Sequence, residues 1–223
     1  MATIKLNTII GDCIAKKETY LIDKTGLTIE YNNSKEHCYL KNENLDSIYK
    51  LPKDGVACSK AGLFNKQSLK EITVIQCSKK TFITKGYTSK MHFDSSYGNV
   101  SVDIKVPYDI SFKVNENKIE EFIKFVFDLS PKKNIDFNDV YENIEKQVNN
   151  IIKRVIGNTG IYIIEDLETS VKEIEEEIIS ELNSSIVAEN YGVFFVKISI
   201  QLVDDYMHRQ EKKRVQHNKY LYK

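Results

Sequence analysis

Two stretches carry residues whose types and spacing could do chemistry. His92 and Asp94 stand two apart in an extended stretch, so their side chains leave the same face. An imidazole and a carboxylate placed so could share a metal ion or relay a proton. No third ligand stands at metal-binding spacing, and a surface turn is the plainer reading. His37 and Cys38 are adjacent. Neighbours in a strand point to opposite faces, which takes the thiol away from its would-be base. Cys13, Cys38, Cys58 and Cys77 lie far apart with no C-x-x-C pair. They suggest neither a zinc site nor a disulfide framework, and read as reduced thiols of a cytosolic protein, Cys77 as a core residue. Gly157-Asn158-Thr159-Gly160 lacks the spacing and the following Lys-Ser/Thr of a phosphate loop. The residues therefore give no catalytic set, no metal site and no cofactor, and the chain reads as a non-enzyme.

Charge points the same way. Thirty-two basic residues balance 32 acidic ones, so no overall field draws the chain to nucleic acid. Arginine, the residue whose fork suits phosphates and bases, occurs only at Arg154, Arg209 and Arg214. The clearest asymmetry is local. In residues 207–223, Arg209, Lys212, Lys213, Arg214, Lys219 and Lys223 face only Glu211. That basic tail is a candidate contact for anionic lipid, RNA or an acidic partner, or else a solubilising end. Glu173, Glu175, Glu176 and Glu177 read as a solvated helix face, with a docking surface as the sharper alternative. Asn99-Val100-Ser101 and Asn183-Ser184-Ser185 match the glycosylation pattern, but residues 1–10 alternate like a strand rather than a signal peptide. No stretch approaches the roughly 20 apolar residues of a membrane span.

The elements that would position these residues follow from periodicity. Residues 2–10 alternate and stop at Gly11-Asp12. Residues 19–23 and 27–31 flank Lys24-Thr25-Gly26 as a hairpin would. Asn32-Asn33-Ser34, Pro52-Lys53-Asp54-Gly55 and Tyr97-Gly98-Asn99 are turns. Residues 72–77 and 81–84 are strand-like. Val100, Val102, Ile104 and Val106 alternate with polar residues, and Tyr108, Ile110, Phe112 and Val114 resume after Pro107. Proline donates no ladder hydrogen bond, so a bulge, bend or edge is expected there. Residues 118–129 form a helix with Asn115 or Asn117 as its cap. A second helix, from Asn138 or Asp136 to about Gly157, buries Val140, Ile144, Val148, Ile151, Ile152 and Val155. A third starts at Ser170, with Glu173 at capping-box spacing, and buries Val171, Ile174, Ile178, Leu182 and Ile186. Gly192 ends it as a left-handed terminator and should not tolerate a β-branched residue. The period then changes to two, with Phe194, Val196, Ile198, Ile200 and Leu202 on one face.

Assembled, residues 72–203 resemble the SPFH or band 7 domain, the stomatin–prohibitin–flotillin superfamily. Four features carry the resemblance: the strand pair across Val100 to Phe112, the helices after it, the polar helix from Thr169, and Tyr191-Gly192-Val193 followed by the last strand. The nearest branch is the bacterial soluble, virion-core-like one, which lacks an N-terminal membrane hairpin. The long coiled coil that many members carry is absent or cut short after Val203, which argues against a large ring or cage for this chain. The expected fold is α+β: a β-rich part over residues 1–70, an SPFH-like mixed sheet with helices packed on one side over 71–204, and a basic tail over 205–223. The resemblance implies a non-enzymatic scaffold or adaptor. It would be a homo-oligomer that organises protein partners, cytoplasmic, and peripheral at an anionic inner membrane face. Pro107 and Gly192 would be its structural positions; Arg209, Lys212, Lys213 and Arg214 its contact residues. The rivals are an interaction protein of a phage-like or mobile element, and an enzyme using His92 or a cysteine.

Overall fold

The computed structural model describes residues 2–22, 27–42, 45–52, 56–58, 70–95, 100–129 and 133–201. The chain begins with strands: β1 (Ala2–Lys5), β2 (Cys13–Ile22), β3 (Leu27–Glu30), β4 (Glu36–Asn42), β5 (Leu45–Lys50), β6 (Val56–Cys58), β7 (Lys70–Ser78), β8 (Phe82–Tyr87), β9 (Met91–Ser95), β10 (Val100–Ile104) and β11 (Pro107–Val114). A 3-10 turn (Glu116–Lys118) leads into α1 (Ile119–Leu129). Then come β12 (Asn134–Asp136), α2 (Phe137–Asn158), α3 (Ile164–Thr169), α4 (Val171–Ser184), α5 (Ile186–Tyr191) and β13 (Val193–Ile200). Strands gathered first and helices after make this an α+β fold. The expected turns at residues 53–55 and 97–99, and the tail, lie outside the described residues.

Two compact units interleave along the chain. One takes Met1–Phe82, Lys113–Asn143 and Ala188–Phe194; the other takes Ile83–Phe112, Ile144–Val187 and Phe195–Lys223. In the first unit, one sheet runs β12-β2-β7-β4-β5. Its centre is β7, in which every residue from Ile72 to Ser78 is buried. A strand so apolar needs cover on both faces and a partner on both edges. It pairs antiparallel with β2 (Ala15↔Cys77 to Ile22↔Lys70) and with β4 (Glu36↔Ser78 to Asn42↔Ile72). The expected boundary near residue 70 thus falls at the start of this central strand. The hairpin expected around Lys24-Thr25-Gly26 does not form a pair, because β2 is taken by β7 while β3 joins a second sheet, β1-β3-β6. Leu6, Ile29, Cys38, Leu51, Ile72 and Val74 form a core cluster there. Glu36 is buried beside it and accepts from the Ile9 N–H and from Gln76 Nε2 (2.7 Å). Gln76 Nε2 also donates to the Asn7 carbonyl (3.0 Å), so carboxylate and carboxamide together pin residues 7–9 to the sheet.

The second unit holds the β9–β10 hairpin and most of the sheet β13-β11-β8. The alternating runs on either side of Pro107 were expected to pair. They do not: β10 pairs with β9, and β11 lies between β13 and β8. Val106 explains the parting. It is buried and exchanges hydrogen bonds with Thr88 (Thr88 N–H to the Val106 carbonyl, 3.0 Å; Val106 N–H to Thr88 Oγ1, 2.9 Å). The chain turns there, and Pro107 opens β11, where its missing N–H costs nothing. The face expected of α2 is buried in full. On α4, Ile174, Ile178 and Leu182 are buried, but Val171 is only half-buried and Ile186 is 71% exposed. The helix breaks at Ser185, whose backbone is extended, and α5 restarts with a new phase. Ser170 takes the N-cap position without a side-chain cap bond, because α3, which periodicity did not show, runs directly into it.

The last strand departs most from expectation. Val193 and Phe195 are buried, then Ile198 and Ile200, while Val196 and Lys197 both face out. The alternation slips by one residue, so Phe194 and Val196 stand on the exposed side rather than with Ile198. Side chains of α4 close this strand's backbone. Asn183 Oδ1 accepts the Phe195 N–H (2.9 Å), Asn183 Nδ2 donates to the Phe195 carbonyl (2.8 Å), and Glu175 accepts the Ile200 N–H (2.7 Å). The amide of the Asn183 sequon is therefore occupied structurally.

Gly192 has φ +58, as a left-handed terminator should. It also has a second role. A side chain there would collide with the Lys118 carbonyl oxygen and the Phe122 backbone nitrogen at the start of α1. Gly11 has a similar φ of +66 but open space around it. Gly11→Val is expected to cost about 1–2 kcal/mol of strain, and Gly192→Val about 2–5 kcal/mol once the collision is added. Chemical denaturation of the two variants measures both; equal losses would remove the steric role.

Candidate functional site

Within the first unit, the end of β4 meets the turn that follows β11. Alternation along β4 sends Glu36 and Cys38 to one face and His37 to the other. His37 Nε2 lies 2.8 Å from Glu116 Oε1, and Lys50 Nζ lies 3.4 Å from Glu116 Oε2. Glu116 is held in place because Asn115 caps the 3-10 turn, its Oδ1 accepting the Asn117 N–H (3.0 Å). Of the two caps expected for the helix over 118–129, Asn115 thus caps the 3-10 turn that leads into it. A cleft of about 340 Å³ opens beside the pair, lined also by Ser78 and Lys79 from the end of β7, Lys113 from β11, and Phe194 from β13.

The electrostatics are mixed. Burial pushes the His37 imidazole below its ordinary pKa, and Lys79 and Lys50 push the same way against the pull of Glu116. His37 is thus neutral at pH 7. Burial pulls Glu116 upward, but His37 and Lys50 outweigh it and hold the carboxyl below its usual range. Beneath them Tyr39 is buried with its ring 6.5 Å from that of His37, and its hydroxyl has no partner among the described residues. At the mouth, Phe194 is 41% exposed and the Lys113 ammonium sits 5.6 Å from its ring centre. Lys79 donates to the Asn33 carbonyl. Neither Lys79 nor Lys113 has a carboxylate partner among the described residues. The arrangement offers a neutral imidazole, two uncompensated ammoniums and an aromatic face.

No protein-family model matches this chain, and no curated protein matches it.

The residues singled out from sequence fall elsewhere. His92 and Asp94 do share a face of the β9–β10 hairpin, but each is engaged across it. His92 Nδ1 lies 3.0 Å from Asp103 Oδ1, and Ser101 Oγ donates to Asp94 (2.6 Å). Among the described residues no group of three His, Cys, Asp or Glu side chains could hold a metal ion. Cys38 is buried, and burial, with Glu36 nearby, pushes its thiol up to about 12. Burial pushes Cys77 and Cys13 up as well. Such thiols are protonated and poor nucleophiles. Of the acidic group, Glu173, Glu176 and Glu177 are exposed, while Glu175 is half-buried on β13. Arg209, Lys212, Lys213 and Arg214 lie outside the described residues. Glu116 carried no signal in the sequence: it lies 79 positions after His37, and only tertiary pairing joins them.

The pH dependence of folding reads out this pair. The folded pKa of His37 lies below the 6.5 of an unfolded histidine, so the unfolded chain binds more protons between the two values. The stabilisation is present above 6.5 and is lost as pH falls through that value toward the folded pKa. Glu116, shifted down from 4.5, adds a further loss at lower pH. Urea melts from about pH 7 to about pH 5 are expected to show falling stability, and His37→Asn to flatten that fall. An unchanged slope in the variant would rule out His37 as its source.

Proposed function

We propose that the protein is a non-enzymatic scaffold that self-associates and organises protein partners. The observation that carries this reading is the contrast between the two edges of the sheet β13-β11-β8. At β13, Asn183 and Glu175 satisfy backbone groups from α4. At β8 the sheet ends, among the described residues, with no such cover. There Ile83 is 67% and Tyr87 60% exposed, with Lys85 between them. An edge that bears apolar side chains recruits another strand. A second copy of β8, antiparallel about Thr84, would set Ile83 against Lys85 and Phe82 against Gly86. That register keeps the lysines of the two copies from facing each other.

The resemblance to band 7 domains implies the same role. What supports it here is the order of helices after β11 and the return of β13 beside β11. It also implies peripheral contact with an anionic membrane. The residues that would make it are Arg209, Lys212, Lys213 and Arg214. No helix among the described residues is long and apolar enough to cross a membrane.

Two measurements test the proposal. Sedimentation velocity over a range of concentrations should give a dimer or larger species, and Ile83→Glu with Tyr87→Glu should convert it to monomer without unfolding. A strict monomer at high concentration would sink the scaffold reading. Full-length chain should float with anionic but not neutral vesicles; absence of flotation removes the membrane part alone.

A further inference from the structure

We propose that the cleft between His37 and Phe194 binds a phosphate monoester carried on a flat ring, the chemistry shared by nucleoside monophosphates and aryl phosphates. The inference stands apart from the scaffold reading and rests on different residues.

The charge at the cleft selects the anion. The Glu116 charge is offset by Lys50, 3.4 Å away, so it does not cancel those of the other lysines. Lys79 and Lys113 line the same cleft and bring two positive charges without carboxylates of their own among the described residues. A dianion answers both. Ser78, buried at the floor, accepts from the Lys80 N–H (3.2 Å), which leaves its hydroxyl proton free to be donated to an anionic oxygen. The His37 imidazole, already beside Glu116, adds a polar wall without adding charge.

Phe194 selects the ring. Nothing in the core requires this phenyl group at the surface, and the register slip in β13 is what delivers it there. The Lys113 ammonium stands 5.6 Å from its ring centre. A flat ring laid on the phenyl would bring its phosphate to that ammonium. At about 340 Å³ the cleft lies at the small end of ligand sites and suits a ring with one phosphate rather than a chain of them.

Titration calorimetry on the full chain tests this with four probes: adenosine monophosphate, phenyl phosphate, adenosine and inorganic phosphate. One or both ring phosphates are expected to bind, inorganic phosphate at least about tenfold more weakly, and adenosine not at all. Preference for one ring phosphate names the ring as base or phenol. Lys113→Gln alters an exposed side chain and should leave melting unchanged, Phe194→Ala removes a partly covered ring and should lower melting modestly, and each should weaken binding about tenfold. The proposal is overturned if neither ring phosphate binds at about 10 mM, if inorganic phosphate or adenosine binds as well, or if both variants bind as the native chain does. The four-probe comparison needs no variant, so it decides the matter even where a substitution disturbs folding.

Discussion

The first unit is built around a place where two backbones approach too closely for a side chain. Gly192 rests against the Lys118 carbonyl and the Phe122 amide at the start of α1. From that contact the Gly192 carbonyl accepts the Asn115 N–H (2.9 Å), and Lys118 reaches Glu189 (3.2 Å). The turn bearing Asn115 and Glu116 and the first residues of β13 are thereby fixed together. Phe194 stands two residues from the glycine and Glu116 one residue from the cap. The cleft exists because this close approach sets its two walls. A methyl group at Gly192 would push them apart, so the steric constraint and the candidate site are one problem in packing.

In the second unit the governing problem is an edge. A strand leaves a row of amides and carbonyls on its open side, and proteins cover that side or blunt it. Here a helix does for β13 what another strand would have done. The carboxamide of Asn183 supplies both an acceptor and a donor to Phe195, which is the bonding a ladder partner offers. Glu175 repeats half of this at Ile200. Between those two anchors the strand changes phase at Val196 and Lys197. Side chains fixed to a helix are spaced by the helix, not by the strand, so two anchors need not share one strand face. The slip follows from that mismatch.

The same physics decides what could be read from sequence. The faces of α2 and most of α4 were legible because several turns repeat one period, and each repeat checks the last. His37 and Cys38 were correctly sent to opposite faces by strand geometry alone. Val193-Phe194-Phe195-Val196 carried no phase, since four apolar residues in a row fit either register. Ile186 fitted the stripe of α4 only while the break at Ser185 went unseen, and serine breaks a helix through local bonding that composition does not display. Neither expected strand pairing formed: β2 and β3 went to separate sheets, and β10 paired with its neighbour β9 while β11 joined β13 and β8. β7 took β2, and Val106 turned the chain before Pro107 could join its own predecessor. The candidate site was illegible for a related reason: His37, Lys50, Lys79, Glu116 and Phe194 come together only after the sheet has formed.

Several local costs meet at that cleft. A phenyl ring stays 41% exposed, although covering the rest would yield about 1 kcal/mol. The buried Tyr39 hydroxyl has no partner among the described residues, and an unmet group of this kind costs about 1–3 kcal/mol. An imidazole is held neutral next to a carboxylate, where exposure would have let it charge and pair. Any one of these is ordinary in a folded chain. Their gathering around Glu116 is less so, because natural sequences agree with their folds at most positions and depart from them where a site is kept. The exposed β8 edge is a different kind of departure, with Lys85 limiting it as charged residues limit other open edges. An edge admits a strand and a charged aromatic cleft admits a small anion. On the two proposals above, these departures would serve two different kinds of partner through different elements of the fold.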